Sequence, residues 1–82
     1  MSRRARLIRY SENARWFFEH LGDLRQDPRY SGTFVAIDNG KVIAFHEDLD
    51  VLSSVLESFP ERESAEAAMV DYVSEQPCAM LL

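Results

Sequence analysis

The chain predicts an α+β domain, a small α-β-β-α-β unit in which two helices pack on an antiparallel sheet made of a hairpin and a third strand. Three observations carry this expectation. Residues 32–46 hold two apolar runs joined across Asn39-Gly40. Asp48 is followed by Leu49, Leu52, Val55, Leu56 and Phe59 at helical spacing, with Pro60 just beyond. Ahead of both lies an aromatic cluster, Trp16-Phe17-Phe18, between a polar Ser11-Glu12 start and Gly22.

Asn-Gly is a strong hairpin signal because a two-residue type I′ turn needs positive φ at both central positions. With Asn39 and Gly40 in those places, Asp38 pairs with Lys41, Ile37 with Val42, Val35 with Ala44, Phe34 with Phe45 and Thr33 with His46. Alternation then puts Val35, Ile37, Val42 and Ala44 on one face and Phe34, Ala36, Ile43 and Phe45 on the other. Both faces are apolar, so both need covers from helices of this chain or from another subunit.

The first helix is expected from Ser11, an N-cap, through Leu21, with Glu12 favourable in the first turn and Gly22 a stop. Trp16, Phe17 and Leu21, with Leu24 if the helix continues, form a stripe that reads as core rather than as a stacking platform for bases. Asp27-Pro28-Arg29-Tyr30-Ser31-Gly32 is a turn-rich connector. The second helix runs from its cap at Asp48 to Phe59, and Pro60 ends it.

Residues 62–74 admit two readings. Ala65, Ala68, Met69, Tyr72 and Val73 fall at helical spacing, whereas Met69-Val70-Asp71-Tyr72-Val73 is short and β-rich. A lone two-stranded hairpin is marginal, which favours a third strand at Met69–Val73. Residues 78–82 then form a terminal strand or an apolar tail.

At 82 residues, 46% hydrophobic and 28% charged, the composition is that of one soluble domain near the lower size limit for an independent core. No apolar run approaches the ~18 residues of a membrane span, and no secretory leader is expected. The single cysteine, Cys78, excludes an internal disulfide framework and a four-cysteine zinc site, and it fits a reducing cytoplasm. The net charge of −5 is unevenly spread. Arg3, Arg4, Arg6 and Arg9 fall in the first ten residues with no acid among them. From Tyr30 onward only Lys41 and Arg62 oppose ten acidic side chains. Residues 1–10 therefore read as a basic arm and residues 11–82 as a single domain.

The hairpin and its surroundings resemble the DUF5678 family of small prokaryotic domains of unknown function. The residues that carry the resemblance are Tyr30, Gly32, Phe34, Val35, Ala36, Gly40, Val42, Ile43, Ala44, Asp48 and Leu49, with the aromatic helix before them and Asp71-Tyr72-Val73-Ser74-Glu75 after. It covers most of residues 16–73. Its motif is made of turn and core residues, so what it implies is the strand at Met69–Val73 and not an activity.

Few residues offer chemistry. His46, Glu47, Asp48 and Asp50 have metal-like composition, but Asp48 is explained as a cap and Glu47 and Asp50 suit a helix start, so no metal is expected. No motif places a Ser or Cys beside His20 or His46. Cys78 lies among apolar residues, and the three glycines serve turns or a stop rather than a phosphate loop. No enzyme activity and no cofactor are expected. The sequence points instead to a cytoplasmic protein-interaction module, a homo-oligomer or a subunit of a larger complex, meeting its partner through an open sheet edge. Candidate contacts are Phe34, Ile43, Phe45, Met80, Leu81 and Leu82. The competing expectation is an antitoxin-like, nucleic-acid-associated regulator using Arg3, Arg4, Arg6 and Arg9.

Overall fold

A computed structural model describes residues 2–75. The order of elements is α1 (Arg3–Gln26), β1 (Thr33–Asp38), β2 (Lys41–His46), α2 (Leu49–Glu57), α3 (Arg62–Ala67) and β3 (Met69–Val73). The strands form one antiparallel sheet in the order β2-β1-β3. The expected α+β fold is present, and the third strand lies at Met69–Val73. The helical signal in residues 62–74 is also real: it makes the short α3, and the chain turns extended at Ala68.

α1 is longer than the sequence suggests. Its N-cap is Ser2, whose Oγ accepts from the Ala5 N–H, and not Ser11. Gly22 does not stop it; with no side chain within 4 Å of where a Cβ would stand, it is simply a tolerated exposed position. The helix ends at Asp27, whose N–H bonds back to the Leu24 carbonyl. Residues 3–10 are therefore the first turns of α1 and not a separate arm. At 24 residues the helix spans about 36 Å, against about 20 Å for the six-residue β1, and its first turns reach the end of β1 and α3 through Arg6, Arg9 and Asn13.

The hairpin turn is as expected. Asn39 (φ 54°) and Gly40 (φ 71°) both take the left-handed conformation that type I′ requires. The register holds for Asp38–Lys41 and Ile37–Val42, then shifts, so that Ala36 pairs with Ala44, Val35 with Phe45 and Phe34 with His46. Ile43 is the extra residue of a β-bulge. The expected pairs Val35–Ala44, Phe34–Phe45 and Thr33–His46 are thereby replaced. Phe45 moves to the face it shares with Val35 and away from Phe34. The Asn-Gly turn sets only the nearest pairs, and one inserted residue reverses every side chain after it.

β1 is the central strand, and Val35, Ala36, Ile37 and Asp38 on it are all buried. On one face Phe17 and Leu24 of α1 close over Val35, Ile37, Met69 and Val73, with Trp16, Leu21, Tyr30 and Val42 at the margin. On the other, α2 packs against β2 and β1 with Leu52 fully buried. Phe34 and Tyr72 remain at the part of that face nearer β3, in ring contact at 5.0 Å. The described residues thus close the first face and part of the second.

Candidate interaction surface around a buried ionic cluster

The densest polar constellation centres on Asp38, the last residue of β1, whose side chain is 1% exposed. Its carboxylate accepts from four donors: Arg9 Nε at 2.7 Å and Asn13 Nδ2 at 2.9 Å on Oδ1, and Arg9 Nη2 and Ser64 Oγ (2.9 Å) on Oδ2. Asn13, itself buried on α1, also donates to the Ala67 carbonyl at 3.0 Å, and its Oδ1 accepts the Asn39 N–H at 3.2 Å. One carboxylate and one amide therefore tie α1, the end of β1, the hairpin turn and α3 together.

Burial alone would push the Asp38 carboxyl up, but the hydrogen bonds from Arg9, Asn13 and Ser64 outweigh it and hold the carboxyl below its ordinary range. Arg9 is raised in turn, chiefly by its hydrogen bond to Asp38. A carboxylate so stabilised is a poor base and cannot activate the Ser64 hydroxyl that donates to it. The cluster is built to fasten elements, not to move protons. Sequence pattern alone pairs Asp38 with Lys41 across the turn and passes over Asn13. The signal was there in Asp38 itself, a carboxylate closing an otherwise apolar buried strand.

The four arginines proposed for phosphate contact are divided. Arg9 belongs to Asp38, and Arg6 reaches Glu66 of α3 at 3.4 Å. Arg3 and Arg4 are exposed. The residues weighed as metal ligands serve local turns. His46 Nδ1 accepts the Asp48 N–H at 2.9 Å, which puts the ring proton on Nε2, and the Asp48 carboxylate caps α2 by accepting the Asp50 N–H. Among the described residues no group of three or more His, Cys, Asp or Glu is placed to hold a metal ion. His20 stacks on Trp16 at 4.1 Å and donates through Nδ1 to the Trp16 carbonyl, inside the helix rather than at its end.

The candidate contact residues do not form one surface. Phe34 lies against Tyr72, whereas Phe45, turned by the bulge, meets the edge of the Tyr30 ring at 4.9 Å. Ile43 is half-buried beside Val42 and Phe59. Met80, Leu81 and Leu82 lie outside the described residues. Sequence reading missed the larger exposed apolar surfaces, which are helical. Leu7 and Phe18 of α1 are 59% and 64% exposed, with Ile8 and Tyr10 also open. On α2, Val51 and Val55 line a shallow apolar depression with Phe59 and Pro60. No described helix is long and apolar enough to cross a membrane. Comparisons with protein-family models, with curated proteins and with solved structures return no match.

Proposed function

We propose that this chain is a non-enzymatic protein-interaction module of the cytoplasm that works as an oligomer or as a subunit of a larger complex. The observation that carries the reading is the apolar surface of α1. Leu7, Ile8, Tyr10 and Phe18 stand exposed on a helix whose buried side already supplies Phe17 and Leu24 to the core. Scattered apolar residues need no explanation, but four large ones left open on a single helix of so small a domain favour a partner. Among the described residues the outer strands β2 and β3 each leave an unpaired sheet edge as a second means of contact. The single cysteine accords with a reducing compartment. The polar cluster around Asp38 is fully engaged in holding elements together.

The nucleic-acid reading is weakened by the pairing of Arg6 and Arg9 within the chain. Two remaining arginines, at a salt-dependence slope of about 0.9 per phosphate contact, support only loose, salt-sensitive attachment. The test is sedimentation of the purified protein together with mass spectrometry of what co-purifies at native expression. Self-association or a stoichiometric protein partner is expected. A monomer at about 100 micromolar with no partner would overturn the reading, since weaker contacts are not specific at that scale.

A further inference from the structure

We infer that residues 3–12 are an electrostatic strap: they are helical while Arg6 and Arg9 hold an acidic catch on β1 and α3, and they melt away from the domain as one unit when that catch lets go. Burial divides α1 in two. From Ser2 to Glu12 every side chain is exposed except Arg6 and Arg9, which are half-buried. From Asn13 onward the helix sends Asn13, Phe17 and Leu24 into the interior, with Ala14, Trp16 and Leu21 packed against it. Helices in proteins draw most of their stability from a packed apolar face, and residues 3–12 bury no apolar side chain.

Left to itself this segment is a poor helix. Arg3, Arg4, Arg6 and Arg9 put four positive charges at the end where the helix dipole favours negative ones, and no acid precedes Glu12. Arg3 and Arg6, and Arg6 and Arg9, also stand three apart, a spacing at which like charges repel. The Ser2 cap offsets part of this. The catch supplies the rest. Arg9 donates twice to the Asp38 carboxylate and lies 3.4 Å from Ser64 Oγ, while Arg6 reaches Glu66 at 3.4 Å. Glu61 and Glu63 add to the attraction on Arg9. The arginines are thus all on the strap, and the acids that face them are at the end of β1 and along α3. The hinge falls just before Asn13, whose amide stays with the domain through Asp38, the Ala67 carbonyl and the Asn39 N–H. Opening there gives up no buried apolar side chain, lets water reach Asp38, and frees the arginines that the closed strap keeps engaged.

The test is native-state hydrogen exchange on the full chain at neutral pH, in urea below the unfolding midpoint. The amides of Leu7 to Glu12 should share one opening, at least ~30-fold more populated than the opening that exposes Phe17 to Leu24. It should change little with urea, because little surface is uncovered. Arg9→Gln should accelerate all six amides together by at least ~30-fold, a floor set below the usual loss for a buried carboxylate's partner because Arg9 is partly exposed. The same urea slope at residues 7–12 as at residues 17–24 would overturn the inference, since α1 would then open only with the whole domain. A graded series, fast at Leu7 and slow at Glu12, with Leu7 and Ile8 unmoved by Arg9→Gln, would overturn it too, because that is ordinary fraying from a helix end. The urea slope is read on wild type, so it decides the question even if Arg9→Gln does not fold.

Discussion

At the scale of single residues, Asp38 is the group on which the largest consequences turn. Removing one member of a buried ion pair leaves the other without its partner, and Asp38→Ala is expected to cost about 3 kcal/mol, the low end of the usual range because Arg9 is 26% exposed. Urea denaturation at neutral pH measures it. The pH dependence follows from the same contacts. The folded carboxyl is held below its ordinary value, so its contribution to stability is complete above the unfolded pKa of about 3.9 and is lost as pH falls below that toward the folded pKa. Wild type should therefore lose stability as the pH falls below about 4. Asp38→Asn, less stable at neutral pH, should show a flatter acid limb over that interval. An equally steep limb in the variant would locate the acid sensitivity elsewhere. Gly40 carries a second consequence. Its φ of 71° is left-handed, and an added Cβ would stand 3.4 Å from the Trp16 indole nitrogen. Gly40→Ala is expected to cost about 1–2 kcal/mol, read as a lower urea midpoint with an unchanged slope.

At the scale of elements, α2 and the bulge decide how the second sheet face is closed. Leu52 is the only residue of α2 that is fully buried, so Leu52→Ala should cost about 3 kcal/mol and loosen α2 before α1 in hydrogen exchange. Val51→Ser and Val55→Ser, on the open side of the same helix, should change stability little. Most of these elements were legible in the sequence, because each rests on a local rule. Asn39-Gly40 encodes its own turn, Asp48 its own cap, and Pro60 its own stop. What was not legible depends on partners distant in the chain. The first ten residues look like a basic arm because four arginines with no local acid suit a solvated terminus. They are helical because Ser2 caps them, Asp38 fixes Arg9 and Glu66 draws Arg6. Gly22 looked like a stop, but Phe17 and Leu24 are packed on either side of it, and that packing outweighs its weak propensity. The bulge at Ile43 has no glycine to announce it. Without it the four residues Phe34, Ala36, Ile43 and Phe45 would have made one contact surface, and with it Phe45 turns toward Tyr30. The candidate surface was therefore sought on the sheet, while the longer exposed apolar row lies on α1.

At the scale of the whole molecule, the 47 × 24 × 15 Å extents describe a slab with a helix longer than its strands, and the first half of α1 holds both a buried ionic contact and exposed apolar side chains. The ten residues that read as a detachable arm contribute Arg9 to the buried cluster and Leu7, Ile8 and Tyr10 to the exposed apolar surface of α1. Deleting residues 2–10 should therefore do two things at once. It leaves Asp38 buried with Asn13 and Ser64 but without its cation, which should destabilise the fold by about 3 kcal/mol. It also removes Leu7, Ile8 and Tyr10 from the exposed apolar surface of α1. The two effects separate with a paired control. Leu7→Ser combined with Ile8→Ser keeps Arg9 and the N-cap, and should leave the urea midpoint within the scatter of a surface change while weakening the association proposed above, read by sedimentation. Arg9→Met, the converse, should lower the midpoint while a folded fraction still self-associates. A deletion that leaves stability untouched would mean that the segment is a true arm and that the Arg9–Asp38 pair contributes nothing to the fold.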